Sequence, residues 1–164
     1  MRFNTHLLGG GLLLWMLGFS GVELLLGLLL SVLPDIDTPR SHIGRIFPFS
    51  GWIEENIGHR SITHSLLFVV VAALGGGLGP LVGALSHILL DMLTPNGVQL
   101  LWPENMNFII LGGTIPTGSN KERVVFALML LAGIVFGYMQ LCNLESREIL
   151  RNLFRGDLMV CKYL

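Results

Sequence analysis

Three long apolar runs, separated by short polar stretches, set the pattern of this chain. They extend from Leu7 to Leu33 with Glu23 as the sole charge, and from Ser65 to Leu90 and Val124 to Leu144 with no Asp, Glu, Lys or Arg. Each exceeds the ~20 residues that carry a helix through a bilayer. The first two are interrupted near the middle, at Gly18-Phe19-Ser20-Gly21 and Gly75-Gly76-Gly77-Leu78-Gly79-Pro80, residues that punctuate turns. Each is therefore either one long helix or a hairpin of two short ones. The third, Glu122 to Leu141, predicts a single spanning helix, and Ser119 with Glu122 before it fits a capping box.

The polar residues decide for hairpins. Run one is entered at His6 and left through Pro34-Asp35-Ile36-Asp37; run two is entered at His59-Arg60-Ser61-Ile62-Thr63-His64 and left through His87 and Asp91. This is a rough internal repeat of histidine, helix, turn, helix and carboxylate. Hairpins bring all seven His and Asp side chains to one end of a bundle, and His87 and Asp91, four apart, share a helical face. Pro34 and Thr94-Pro95-Asn96-Gly97 mark helix ends. Residues 40 to 58 mix Arg40, Arg45, Glu54 and Glu55 with Ile46, Phe47, Phe49, Trp52 and Ile53, as a short interfacial helix does. Residues 98 to 117 read as extended, with Val98 to Trp102 and Asn107 to Leu111 as two strands of a β-hairpin. The predicted fold is all-α: a polytopic membrane bundle of two short helical hairpins plus one longer C-terminal transmembrane helix, with that small β-hairpin segment. A single membrane-embedded domain covers 1–144, and a polar tail covers 145–164.

Composition sharpens the membrane reading. Of 164 residues, 52% are hydrophobic and 13% charged, about half the charge of an ordinary soluble domain. A secretory signal peptide would imitate the first run, but a second apolar run follows it. The net charge of -1 offers no basic field, so nucleic acid is not an expected partner. Cys142 and Cys161, the two cysteines, have no metal-knuckle spacing.

A His and Asp set without cysteine suits zinc, and also manganese, iron or nickel, better than calcium or magnesium. The candidate metal ligands are His6, Asp35, Asp37, His59, His64, His87 and Asp91. Seven exceed the three a mononuclear catalytic zinc takes, so two ions, or one ion plus acid and base groups, fit the count. Asp37 is candidate ligand or base, and Arg60 is placed to hold a phosphate or developing oxyanion or to flank a membrane helix. Glu122 is a catalytic carboxylate or a helix cap. His42 lies outside the repeat and reads as an interfacial residue, and Glu23 as a charge at a helix N-terminus.

The motifs Leu33-Pro34-Asp35-Ile36-Asp37 with Pro39, Gly58-His59-Arg60-Ser61-Ile62-Thr63-His64-Ser65, and Ser86-His87-Ile88-Leu89-Leu90-Asp91-Met92-Leu93-Thr94-Pro95 followed by Gly97 and Leu100-Leu101-Trp102-Pro103 carry a resemblance. With His6 and Gly118-Ser119, they make about the first 125 residues similar to the bacterial inner-membrane metal-dependent hydrolases of the YdjM type. The resemblance implies a membrane-embedded helical hydrolase and distant kinship with zinc-dependent phospholipase C, whose metal ligands are likewise His and Asp. Two features depart from it: the connection at 18–21 is very short, and the tail after Leu144 matches nothing in the family.

The expected activity is hydrolysis of a phosphoester or related bond in a lipid or lipid-linked substrate, at an inner-membrane site. Arg2, Arg40, Arg45, Arg60, Lys121 and Arg123 all fall at the site end, which places that end in the cytoplasm by the positive-inside rule, against the pull of the basic residues in the tail. A metal carrier or sensor without chemistry uses the same ligands, but would spread ionisable groups through the membrane depth. A scaffold binding a protein partner accounts for the tail and leaves the His and Asp spacing without a purpose.

Overall fold

A computed structural model describes residues 1–154; the expected polar tail lies, beyond Phe154, outside the described residues. Among the described residues the chain is all-α. The helices are α1 (Phe3–Met16), α2 (Gly21–Leu30), α3 (Ser50–Asn56), α4 (Leu66–Gly76), α5 (Leu78–Met92) and α6 (Asn120–Phe154), with 3-10 turns at Leu33–Asp37, Ile62–His64 and Leu111–Gly113. The chain divides into two compact units, Met1–Met129 and Leu130–Leu164. In the second, α6 continues to Phe154, and apolar side chains such as Leu131, Ile134 and Leu141 are exposed. The segment Asn120–Leu144 is long and apolar enough to cross a membrane, and its apolar stretch has no buried residue.

The first unit is organised around α5, which packs against α1, α2 and α4. Glycine sets how close these helices come. A Cβ on Gly83 would lie 2.0 Å from the Gly27 carbonyl oxygen, and one on Gly79 would lie 2.2 Å from that of Glu23. The pairs 23/79 and 27/83 advance together, so α2 and α5 run parallel with backbones in contact. Gly10 of α1 faces Ser31 and Ser86, and Gly11 faces Leu28, so α1 runs antiparallel to α2. The joint between α4 and α5 is the single residue Gly77 at φ 87°, a conformation that a side chain disfavours. The N-terminus of α1 and the C-termini of α2 and α5 consequently share one end of the unit.

The expected β-hairpin at 98–117 is not formed. Val98 and Phe108 make one isolated antiparallel bridge, because neighbouring backbone groups bond elsewhere. Gln99 N–H donates to Arg60 O, Leu100 O accepts from Leu66, and the N–H groups of Ile110 and Ile115 donate to Met92 and Leu93. Beyond that one bridge the segment closes over the helix ends. In the 40 to 58 connection a short helix is present as α3, with Trp52 exposed on it and Ile46 and Phe49 exposed before it.

Burial is inverted relative to a water-soluble domain. Among the described residues, buried polar and charged side chains outnumber buried hydrophobic ones, which are Met1, Leu14, Val32, Val69, Ala84, Ile88 and Val98. Leucine and valine instead cover the outside of the helices, as at Leu25, Leu29, Val71 and Leu74. Lipid as solvent removes the drive to hide apolar surface and raises the cost of exposing polar groups.

Candidate metal centre

The buried polar residues gather at the common helix end. Asp35 comes from the 3-10 turn after α2, His64 from the turn before α4, and His87 and Asp91 from consecutive turns of α5. One donor atom from each lies within 4.8 Å of the others. His64 Nε2 and His87 Nε2 are 3.1 Å apart. Asp91 Oδ2 is 3.4 Å from His64 Nε2 and 3.9 Å from His87 Nε2, and Asp35 Oδ1 is 4.0 and 3.7 Å from the same two atoms. Four donors held ~2.1 Å from one ion in a tetrahedron sit about 3.4 Å apart. The observed edges straddle that value.

The other face of each imidazole explains why Nε2 is the atom presented. His87 Nδ1–H donates to the Ser31 carbonyl at 2.8 Å. His64 Nδ1–H is turned to Thr63 Oγ1 at 3.0 Å and Asp37 Oδ2 at 3.3 Å. With the proton fixed on Nδ1, the neutral ring directs its Nε2 lone pair inward, the arrangement metal-ligating histidines adopt. Two such lone pairs facing each other repel unless a proton or a cation lies between them.

Asp37 stands one layer behind. Its Oδ2 accepts from Thr63 Oγ1 at 2.7 Å and the Arg60 N–H at 2.9 Å, and its Oδ1 accepts from His59 Nδ1 at 2.7 Å. Burial works against ionisation of Asp37, but the bonds from His59 and His64 outweigh it and hold the carboxyl well below the usual carboxylate range. Burial pushes the Asp35 carboxyl up, against the pull of His6. Burial would lower His64, yet the carboxylates of Asp37 and Asp91 raise it to about 9. Without a cation, the proton is therefore what separates the two Nε2 atoms.

The remaining candidates surround this core. His6 is fully buried and stacks on His87, ring centroids 3.7 Å apart. Its Nε2 lies 3.3 Å from Asp91 Oδ1 without the alignment of a hydrogen bond, and neither ring nitrogen has a hydrogen-bond partner. The Met1 amino group also pairs with Asp91. Arg60, held at φ 63°, places Nη2 3.0 Å from Asp91 Oδ2 and donates from Nη1 to Thr94 Oγ1 at 2.6 Å. His59 is about one-third exposed and, with Asp35, Arg60, Arg2 and Arg40, lines a cavity of about 540 Å³ beside the cluster. Glu122 stands apart from the cluster. Its carboxylate accepts from the Arg2 N–H at 2.6 Å, Thr5 Oγ1 at 2.9 Å and the Gly118 N–H, and its own N–H receives the Ser119 cap at 3.3 Å. Thr63, Ser31 and Arg2 carry no signal in the sequence as site residues, because two act through a hydroxyl or carbonyl behind a histidine.

An apolar-coated helical protein with a buried His2Asp2 cluster at one end is the class that fold and site define. The chain matches the YdjM inner membrane protein family over residues 1–144 and belongs to it. It is 32% identical to YvsG of Bacillus subtilis (strain 168), over 85% of this chain and 96% of that protein. It is 42% identical to the inner membrane protein YdjM of Escherichia coli (strain K12), and equally to that of Shigella flexneri, over 60% of this chain. It spans 58% of the length of those two relatives. No solved structure matches the chain.

Proposed function

We infer that the protein is a membrane-embedded, metal-dependent hydrolase that cleaves a phosphoester or related bond of a lipid or lipid-linked substrate. The observation that carries this reading is the pair of buried imidazoles whose Nδ1 atoms are occupied and whose Nε2 atoms converge with two carboxylates, next to a cavity with arginine on its walls. Asp35, His64, His87 and Asp91 would hold one divalent cation, zinc first by ligand type with manganese or iron as substitutes. Asp91 Oδ2, buried beside Arg60 Nη2 but without a hydrogen bond, is the ligand atom that such an ion would satisfy. When bound, the cation supplies Lewis acidity and a water of lowered pKa.

The chain's own residues do the rest. Asp37 fixes the tautomers of His59 and His64 together. His59, on the cavity wall with Nδ1 bonded to Asp37, holds or releases a proton at Nε2. Arg60 bears on Asp91 and Thr94, so it holds a ligand in place, and the anionic group of a substrate meets Arg2 and Arg40 first.

The membrane arrangement belongs to the same reading. Helices of 10 to 15 residues reach about 15 to 23 Å, short of a ~30 Å hydrocarbon core. The α1/α2 and α4/α5 pairs therefore enter as hairpins in a thinned or partly crossed bilayer, with the site end cytoplasmic and at headgroup depth. The inner-membrane names of the relatives and the apolar exterior support this.

One experiment tests the function: bound metal and headgroup release from mixed lipids, measured on the detergent-purified full chain and on His87→Ala. Stoichiometric metal and turnover in the wild type, both lost in the variant, are expected. No bound metal overturns the reading, and metal without turnover on a broad lipid panel converts it to a carrier or sensor. Cysteine labelling at Ser20 and Ser41 should report opposite sides of the membrane; same-side labelling removes the hairpins.

A further inference from the structure

Two cavities outside the metal centre meet end to end. One, of about 170 Å³, lies among the polar and charged residues Arg2, Asn4, Thr5, Glu122 and Arg123, with Phe126. The other, of about 460 Å³, runs along α1 beside Leu7, Leu8, Gly11, Leu12, Trp15 and Phe126. Asn4 and Phe126 belong to both, so the two form one amphipathic groove. From Asn4 to Trp15 the groove follows α1 for about 16 Å at ~1.5 Å per residue. That is about half of a ~30 Å hydrocarbon core, the depth of one leaflet.

Charge at the mouth selects what the groove takes. Glu122 is buried there, with its oxygens committed to Arg2 N–H, Thr5 and Gly118 N–H. The accessible charges are the guanidinium groups of Arg2 and Arg123, whose hydrogen bonds go to uncharged acceptors, Gly118 O and Asn120 Oδ1, each at 3.3 Å. A cationic mouth above a leaflet-deep apolar trough fits a phosphate headgroup followed by an acyl chain. Arg2 also lines the cavity beside Asp35 and His59, so this mouth adjoins the metal-site cavity.

We propose that this groove is a phospholipid site, with one acyl chain lying along α1 against Phe126 and an anionic phosphate headgroup held by Arg2 and Arg123. The occupant is a bilayer lipid of net negative charge. Binding needs only the groove and its two arginines and stands whether or not the neighbouring cluster catalyses hydrolysis.

The test uses the full chain in phosphatidylcholine nanodiscs doped with a phosphatidylglycerol carrying a diazirine in its acyl chain, with cross-links located by mass spectrometry. Cross-links concentrated between Leu7 and Trp15 and at Phe126 are expected, over the equally apolar exposed faces at Leu25, Leu29, Val71 and Leu74. The double variant Arg2→Gln, Arg123→Gln lowers labelling of the groove by the acidic probe about 30-fold and lowers labelling by a diazirine phosphatidylcholine, whose choline offsets the phosphate charge, much less. Leu12→Trp, which fills the trough, abolishes both. Even labelling over every apolar face, or an acidic-probe signal untouched by the arginine variant, overturns the proposal. Because both arginines are exposed, their variant stays informative if Leu12→Trp does not fold. Metal content read on the same samples separates the two ideas: groove labelling without metal sinks the hydrolase reading alone, and metal without groove labelling sinks the lipid site alone.

Discussion

Asp37→Asn separates a carboxylate that binds metal from one that orients the residues that do. Asp37 is fully buried and takes hydrogens from Thr63 at 2.7 Å, Arg60 N–H at 2.9 Å and His59 at 2.7 Å, with His64 Nδ1 at 3.3 Å. Asparagine fills the same volume and keeps one acceptor oxygen. That oxygen can serve the donors gathered on Oδ2, while its NH2 then meets His59 Nδ1, which has to give up its proton to accept. The loss is one charge-assisted bond and a weakening of the others, about 3 kcal/mol of folding stability. Metal is retained at full stoichiometry but bound 10 to 100-fold more weakly, as a rough range for removing the partner of a ligating histidine. Competition against a chromophoric chelator, with the detergent-purified protein, measures both numbers. An unchanged affinity would show that His64 is not a ligand oriented by Asp37. Complete loss of the ion, by contrast, would make Asp37 itself a ligand.

Three further outcomes follow from the geometry. Gly83→Ala drives a methyl into the Gly27 carbonyl oxygen, which is backbone and cannot swing aside; the variant should lose about 1 to 3 kcal/mol in a detergent melt, whereas Gly75→Ala, with nothing within 4 Å of the added carbon, should not. His64 is raised from 6.5 to about 9 in the metal-free protein, so its proton adds stability that is fully present below 6.5 and lost as pH rises through about 9. Zinc must displace that proton, and its apparent affinity should climb by about tenfold per pH unit below 9, with proton release seen in weakly buffered titrations; a flat profile excludes His64 as a ligand. Glu122→Gln weakens the bonds to Arg2, Thr5 and Gly118 and should cost about 1 to 2 kcal/mol with metal stoichiometry unchanged; loss of the ion there would restore Glu122 as a site residue.

Much of this was legible along the chain because polar residues in an apolar sequence are few and expensive. His87 and Asp91 could be paired from their spacing alone, since four residues on a helix return to one face. The glycine clusters located the breaks between α1 and α2 and between α4 and α5, because a joint as short as Gly77 needs a positive φ. The 98–117 segment reads as a β-hairpin from its two short apolar runs, yet beyond the Val98–Phe108 bridge its hydrogen bonds go to Arg60, Leu66, Met92 and Leu93. No local pattern contains that information; it depends on which helix ends the segment crosses.

The Asp35 and Asp37 pair shows where spacing stops being decisive. In an extended loop, residues two apart point the same way, and both would be available to an ion. Here Leu33–Asp37 is a 3-10 turn, with about three residues per turn, so positions i and i+2 point about 120° apart. Asp35 accordingly turns into the cluster, and Asp37 turns to the His59–His64 segment. The same step divides the histidines, since His59 reaches Asp37 from the cavity side while His64, on its own 3-10 turn, reaches the cluster. The seven candidate side chains thus fall into an inner group of four and a surrounding group, in which Asp37 orients His64 and His59. Asp37 joins the two groups, and that is why its loss is expected to weaken the site without emptying it.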